Sequence, residues 1–180
     1  MKFKITLKID RKHGDLLPFN YQYEQSAVIY RILAQADTQY SSWLHENGYL
    51  LHERKRFKLF CYSPFIFEKV RPLPEAGCLK IIGERAVWYI SFIPEKSTLE
   101  FIQGIFAHQS FSIGNKKYQV AFDVVGVEAM SMPQLTEQMA FQAMSPICVK
   151  LHEDNKTQYL SPDNPMFADG ILKGLKARYE

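Results

Sequence analysis

Cysteine is scarce in this chain and never paired. Cys61, Cys78 and Cys148 stand far apart and no CxxC occurs, so spacing gives no zinc knuckle and no dithiol redox centre. An odd, sparse set fits a reducing cytoplasm. Long apolar runs are missing as well. The longest, Val87 to Ile93, is interrupted by Ser91 and falls far short of a membrane span. The N-terminus alternates charged and apolar residues where a secretion signal would carry an apolar block. These absences point to a cytoplasmic protein with no membrane partner. Charge of one sign is not in excess either: 22 Lys and Arg against 19 Asp and Glu leave a net charge of +3. That balance permits nucleic-acid binding without demanding it, because distribution matters more than total. No set of His, Cys, Asp and Glu has metal-ligand spacing, so the expectation is no metal and no cofactor. Neither an internal repeat nor a low-complexity tract is present.

What is present is a globular composition. Of the 180 residues, 47% are hydrophobic and 23% charged, enough for one large or two small domains. Residues 2 to 9 alternate, with Phe3, Ile5, Leu7 and Ile9 on one face and Lys2, Lys4, Thr6 and Lys8 on the other, the period of a half-buried strand. Helical spacing of Val28, Ile29, Ile32, Leu33 and Ala36 predicts a helix from Tyr23 to about Ala36, with Tyr30 off the apolar stripe. A second helix is expected over Gln39 to Asn47, ending at Gly48. A strand follows at Phe57 to Ser63. Cys78–Ile82 and Ala86–Ile93 read as a hairpin about Gly83-Glu84. Ser97 to His108 reads as a helix capped by Ser97, and a second hairpin turns at Gly114-Asn115.

The order strand, helices, strand, strand, helix, strand is the βαββαβ pattern of a ferredoxin-like α+β fold. It implies a four-stranded antiparallel sheet with its helices on one side. We place a first domain at residues 1–132, carrying the candidate site. Residues 133–180 form the beginning of a second, incomplete ferredoxin-like domain. That part should hold a strand over Ala140 to His152, a short strand at Gln158 to Leu160, and a helix after Pro165. The helix would bury Phe167, Ile171, Leu172 and Leu175.

Four segments carry a resemblance. They are Leu17-Pro18-Phe19-Asn20-Tyr21-Gln22-Tyr23 running into Val28-Ile29-Tyr30, Leu44-His45-Glu46-Asn47-Gly48-Tyr49, and Phe57-Lys58-Leu59-Phe60-Cys61-Tyr62-Ser63. The last is Ser145-Pro146-Ile147 with Tyr159-Leu160-Ser161-Pro162. In order and spacing the chain resembles the CRISPR-associated endoribonucleases that process precursor crRNA, the sixth Cas family of the RAMP superfamily. The resemblance implies two tandem ferredoxin-like domains and cleavage of CRISPR repeat RNA without metal, leaving a cyclic phosphate and a 5′-hydroxyl. The implied partners are repeat RNA and crRNA, and beyond them other CRISPR effector or adaptation proteins. The family's C-terminal glycine-rich loop has no counterpart, since the last glycines, Gly170 and Gly174, fall in an expected helix. The chain is therefore expected to match the N-terminal two thirds of such a protein. That keeps open a second reading, a crRNA-binding module that does not cut, standing at the head of a larger CRISPR fusion.

RNA carries its own nucleophile, the 2′-hydroxyl beside the scissile phosphate. An enzyme must take that proton, hold the phosphorane charge and protonate the leaving 5′-oxygen. The resemblance assigns this to a Tyr, a His and a Lys, matching Tyr30 and Lys58 here. Two histidines compete. His45 matches the family's Leu-His-Glu-x-Gly-Tyr pattern and would sit in the last turn of a helix, a rigid perch. His52 stands six residues before Lys58, the spacing seen in family members with a shorter insert. Taken singly, Tyr30 reads as packing, His45 as a surface or capping residue and Lys58 as a solvated strand face. Arg54, Lys55 and Arg56 are consecutive cations beside the site and read as a phosphate clamp. Asn20 and Tyr21 belong to the RNA-binding set, and Tyr23, Tyr49 and Tyr62 are further candidates for stacking bases. His13, His108 and His152 read as surface or structural residues. A phosphate cradle of the acylphosphatase kind is disfavoured, because residues 11 to 22 offer Arg11 and Asn20 but one glycine.

Overall fold

Alternation sets the first strand as expected. In the computed structural model, which describes residues 1–51, 55–153 and 156–179, β1 spans Lys2–Asp10. Phe3, Ile5, Leu7 and Ile9 are all at most 3% exposed. The opposite face is a mixed polar surface: Lys4 pairs with Glu128 at 3.1 Å and Lys2 lies over the Tyr89 ring. After β2 (Leu16–Pro18), α1 (Gln22–Ala36) and α2 (Thr38–Glu46) meet at Asp37. Asp37 ends the first helix and caps the second, its Oδ1 accepting from the Tyr40 N–H at 2.8 Å.

Next come β3 (Tyr49–Leu51), β4 (Lys55–Phe57), β5 (Phe60–Tyr62), β6 (Ile66–Phe67), β7 (Val70–Leu73), β8 (Cys78–Ile81) and β9 (Arg85–Phe92). They lead to α3 (Glu95–Ala107), β10 (Ser110–Gly114) and β11 (Gln119–Met130). The main sheet has the order β10-β11-β1-β9-β5, with β6 also paired to β9, and every pairing is antiparallel. Its central strands β11-β1-β9-β5, together with α1 and α3, make the ferredoxin-like arrangement. The strand β10 extends one edge and β6 adds a second pairing to β9, so the sheet has six strands and not four. The core between sheet and helices is aromatic: Trp88, Phe92, Phe101 and Phe122 are fully buried. The helices α1 and α3 approach closely because Gly104 has no side chain; a Cβ there would collide with the Ile32 carbonyl.

Five local expectations need correction. Cys78–Ile81 does not form a hairpin with β9 but pairs with β7 and β2 in a separate sheet. Both edges of β9 are already taken, by β1 on one side and by β5 and β6 on the other. The expected strand over 57 to 63 is two strands, broken at Lys58 and Leu59, where Leu59 takes a positive φ of 54°. The helix α3 starts at Glu95 with Pro94 at the N-cap position. Ser97 is thus inside the helix, fully buried, and hydrogen-bonded to the Tyr40 hydroxyl. In the last part, β12 begins only at Val149 (Val149–Glu153) and pairs with β13 (Lys156–Leu160). Residues 140–148 carry Pro146, which cannot donate to a ladder, and have no partner strand. The final helix α4 (Met166–Tyr179) packs on β12 but leaves Leu172 and Leu175 55% and 60% exposed, so they are not buried as expected. Among the described residues no helix is long and apolar enough to cross a membrane.

Candidate active site

Two consecutive helices and the strand pair that follows them bring the candidate groups together. Tyr30 lies on α1, half-buried, off the stripe that builds the core. His45 lies in the last turn of α2, exposed. Their rings meet edge to face, with centroids 4.9 Å apart and planes at 84°. Lys58 follows β4, and its ammonium donates to the main-chain carbonyls of Leu44, at 2.6 Å, and of His45. Those carbonyls are among the four a helix C-terminus leaves without intrahelical partners, so Lys58 closes the end of the helix that holds His45.

Two backbone features make this possible. Gly48, just past α2, has a φ of 70°, and a Cβ there would stand 2.8 Å from the Phe57 carbonyl oxygen and 3.2 Å from Lys58 Cδ. Only glycine lets β4 and the lysine stem lie so close to the helix end. Leu59, in the left-handed region, then turns the chain out of the β3–β4 pair and into the main sheet, where its carbonyl accepts from the Ile93 N–H.

The surroundings are aromatic. Phe60 packs edge-on to Tyr30 at 5.7 Å and against Tyr62 at 6.3 Å, and the Tyr62 hydroxyl donates to the Gln22 carbonyl. Burial raises the Tyr30 phenol above the ordinary tyrosine range, and neighbouring Tyr62 adds to the shift. Burial lowers the Lys58 ammonium below the ordinary lysine range, with the Arg56 cation as a second cause. A groove of about 500 Å³ lined by Arg56, Lys58, Phe60, Cys61, Ser91 and Ile93 adjoins the cluster. Among the described residues no three His, Cys, Asp or Glu side chains come together as a metal site.

The remaining predicted residues fall apart by environment. Arg56 is exposed and donates to Asn47 Oδ1 at 2.8 Å. His52 and Arg54 lie outside the described residues, as does the Lys55 side chain. Asn20 is exposed beside α1. Tyr21 is a correction: it is 4% exposed, its ring stacks on Phe65 at 5.5 Å, and its hydroxyl accepts from the Phe65 N–H. An aromatic so placed is part of the core and offers no face to a base. Tyr23 is 82% exposed, whereas Tyr49 is tied to Tyr40 and Trp43. Sequence reasoning missed Ser41, whose hydroxyl donates to the Tyr30 carbonyl. Its position four residues before His45, on the same helix face, was the available signal.

The family model described as CRISPR-associated protein Cas6, N-terminal, matches residues 16–123, and the one described as Cas6, C-terminal, matches residues 130–180. CRISPR-associated endoribonuclease Cas6 1 of Methanocaldococcus jannaschii is 26% identical over 181 residues, covering 98% of this chain. The chain spans 65% of that relative's length. A solved structure of a Cas6-related gene product from Pyrococcus furiosus superposes with a TM-score of 0.79 at 25% identity, covering 99% of this chain and 69% of its own. Another, described as a RAMP protein binding different RNA substrates, shares the fold with a TM-score of 0.76 at 24% identity, over 99% of this chain and 70% of its own. With both family models matched in order along its length, the chain belongs to the CRISPR-associated protein Cas6 family.

Proposed function

We propose that this protein is an endoribonuclease that cuts precursor CRISPR repeat RNA into crRNA by attack of a 2′-hydroxyl on the adjacent phosphate. The observation that carries the reading is the contact of Tyr30 with His45 at 4.9 Å, beside a lysine bonded to the same helix. In this reaction the 2′-oxygen bonds to phosphorus, the bond from phosphorus to the 5′-oxygen breaks, and the products are a 2′,3′-cyclic phosphate and a 5′-hydroxyl. Imidazole suits proton exchange, so His45 takes the proton of the 2′-hydroxyl and returns it to the departing 5′-oxygen. Tyr30, held neutral by its raised pKa, donates a hydrogen bond to a phosphoryl oxygen or to the leaving oxygen. Lys58 supplies positive charge to the phosphorane. These groups need no metal to act. The test is incubation with the host's repeat RNA in EDTA, followed by end-group analysis. Cyclic phosphate and 5′-hydroxyl ends are expected; a strict magnesium requirement with 5′-phosphate ends overturns the mechanism.

A second reading is an RNA-binding module that does not cut. It is favoured by Lys58 spending two of its donors on α2 carbonyls. The same experiment separates the two, since a binding module retains repeat RNA and yields no cyclic phosphate.

A further inference from the structure

We infer that Ser41 is a positioning residue of this site: by gripping the carbonyl of Tyr30, its hydroxyl fixes the rotation of α2 and hence where His45 stands against the Tyr30 ring. The inference rests on the reading of Tyr30 and His45 as the reacting pair. Ser41 is 5% exposed and donates to the Tyr30 main-chain oxygen at 2.8 Å. The usual option for a serine inside a helix is the carbonyl four residues back, here Asp37, which takes the Ser41 N–H while the hydroxyl goes elsewhere. The hydroxyl crosses instead to the other helix, and to the very residue whose ring His45 touches. A carbonyl has two lone pairs, so the Tyr30 oxygen can take this bond without giving up its place in α1.

Residues four apart share a helix face, so the Ser41 bond and the His45 ring lie on one side of α2. The corner at Asp37 ties the start of α2 to α1. Lys58 holds the far end through carbonyls close to the helix axis. Neither contact opposes rotation of α2 about that axis as strongly as bonds made from its sides: the Tyr40 hydroxyl makes them to Ser97 and Tyr49, and Ser41 makes the one that runs to the helix carrying Tyr30. A turn of about 20° at side-chain radius moves a ring by on the order of 2 Å, given a Cα radius of about 2.3 Å and a longer reach for the side chain. A misplacement of about 1 Å can cost about a hundredfold in rate.

The experiment combines Ser41→Ala and Ser41→Cys, which remove the strong donor, with Ser41→Thr, which keeps a hydroxyl. The first readout is NMR of the RNA-free protein. The Tyr30 and His45 ring protons carry mutual ring-current shifts, assigned with Tyr30→Phe and His45→Asn. The second is single-turnover and steady-state cleavage of repeat RNA. We expect the loss variants to relax the ring-current shifts and to lower kcat about tenfold or more at unchanged KM, with Ser41→Thr near wild type in both. Wild-type ring shifts and wild-type kcat in folded Ser41→Ala or Ser41→Cys overturn the inference. If His45→Ala cleaves at the wild-type rate, the reading of the site fails. The ring shifts then decide the positioning role alone: displaced in Ser41→Ala they uphold it, unmoved they end it.

Discussion

Lys58 Nζ donates to the carbonyl of Leu44 at 2.6 Å and reaches the carbonyl of His45 as well, so a cation of the candidate site is bound to the helix that carries the candidate proton-transfer group. An ammonium has three N–H donors. Two hold α2, and in the proposed mechanism the third faces a phosphate oxygen. The geometry thus lets one lysine fasten the site and offer its charge to RNA in the same pose.

A pH prediction follows from the opposite shifts of Tyr30 and Lys58. Burial and the Arg56 cation lower the Lys58 pKa, so its ammonium is lost at a lower pH than that of an exposed lysine. Burial raises Tyr30, so its phenol keeps its proton beyond the ordinary tyrosine range. Both shifts favour loss of the Lys58 charge ahead of the Tyr30 proton as pH rises, so the alkaline fall in cleavage is expected to follow the lysine. Lys58→Arg, whose guanidinium remains charged throughout, should move that fall to higher pH, even where its different shape lowers the plateau rate. Lys58→Met should lose the rate and destabilise the protein by about 1 kcal/mol for each capping bond. Rate-against-pH profiles under single-turnover conditions check this; an alkaline limb that Lys58→Arg leaves in place assigns it to another group.

Packing of α1 on α3 gives a prediction independent of RNA. A Cβ at Gly104 meets the Ile32 carbonyl, a main-chain atom that cannot swing aside. Gly104→Ala should therefore destabilise the fold by about 1–3 kcal/mol, the usual cost of overpacking. This outweighs the gain of about 1 kcal/mol that alanine brings to an exposed helix position. Urea titration measures it, and a stabilised variant would show that the helices part at little cost.

The first strand and α1 were legible because a period of two and a period of 3.6 each leave one apolar face, and Ile5, Leu7, Ile29 and Leu33 obeyed it. The turn at Gly48 was legible for a similar reason, a glycine just beyond a periodic run. Pairing partners were not. Whether Cys78–Ile81 joins β9 or β7 depends on which edges β5 and β6 have already filled, and local sequence does not carry that information. Tyr21 misled because tyrosine serves equally in cores and at interfaces; only Phe65, 44 residues away, decides which. The meeting of Tyr30 with His45 came from resemblance, since no periodicity links two helices across the corner at Asp37. Ser41 escaped because serine in a helix carries no strong signal of its own.

The basic run beside the site supports a prediction about binding apart from chemistry. Arg56 is exposed and anchored on Asn47, the residue that ends α2, so its guanidinium stands in a fixed place near the groove. Replacing Arg54, Lys55 and Arg56 together with alanine should weaken RNA binding and flatten its salt dependence. The slope should fall by about 0.7 for each single-strand phosphate contact removed. Affinity measured across a salt series tests it; an unchanged slope returns the run to a solvated loop.

The last prediction decides between the two histidines. His45 is supported from three directions: its helix is capped by Lys58, its ring lies against Tyr30, and Leu44 beside it is fully buried. A general acid or base held this way contributes about a hundred- to ten-thousand-fold to rate and little to ground-state binding. His45→Ala should therefore abolish cleavage of repeat RNA while affinity stays nearly intact, and His52→Ala should cost less. Tyr30→Phe tests the same cluster from its other side. It keeps the ring that packs on Phe60 and removes only the hydroxyl, so a fall in kcat without loss of stability places the phenol at the reaction. The contrary pattern, a silent His52→Ala protein and an active His45→Ala protein, would mean that spacing to Lys58 was the better guide. In that case the contact of Tyr30 with His45 is packing, and the proton leaves through the histidine after β3. If neither substitution changes cleavage while repeat RNA still binds, neither histidine moves the proton, and the proposed chemistry must be rebuilt around Tyr30 and Lys58.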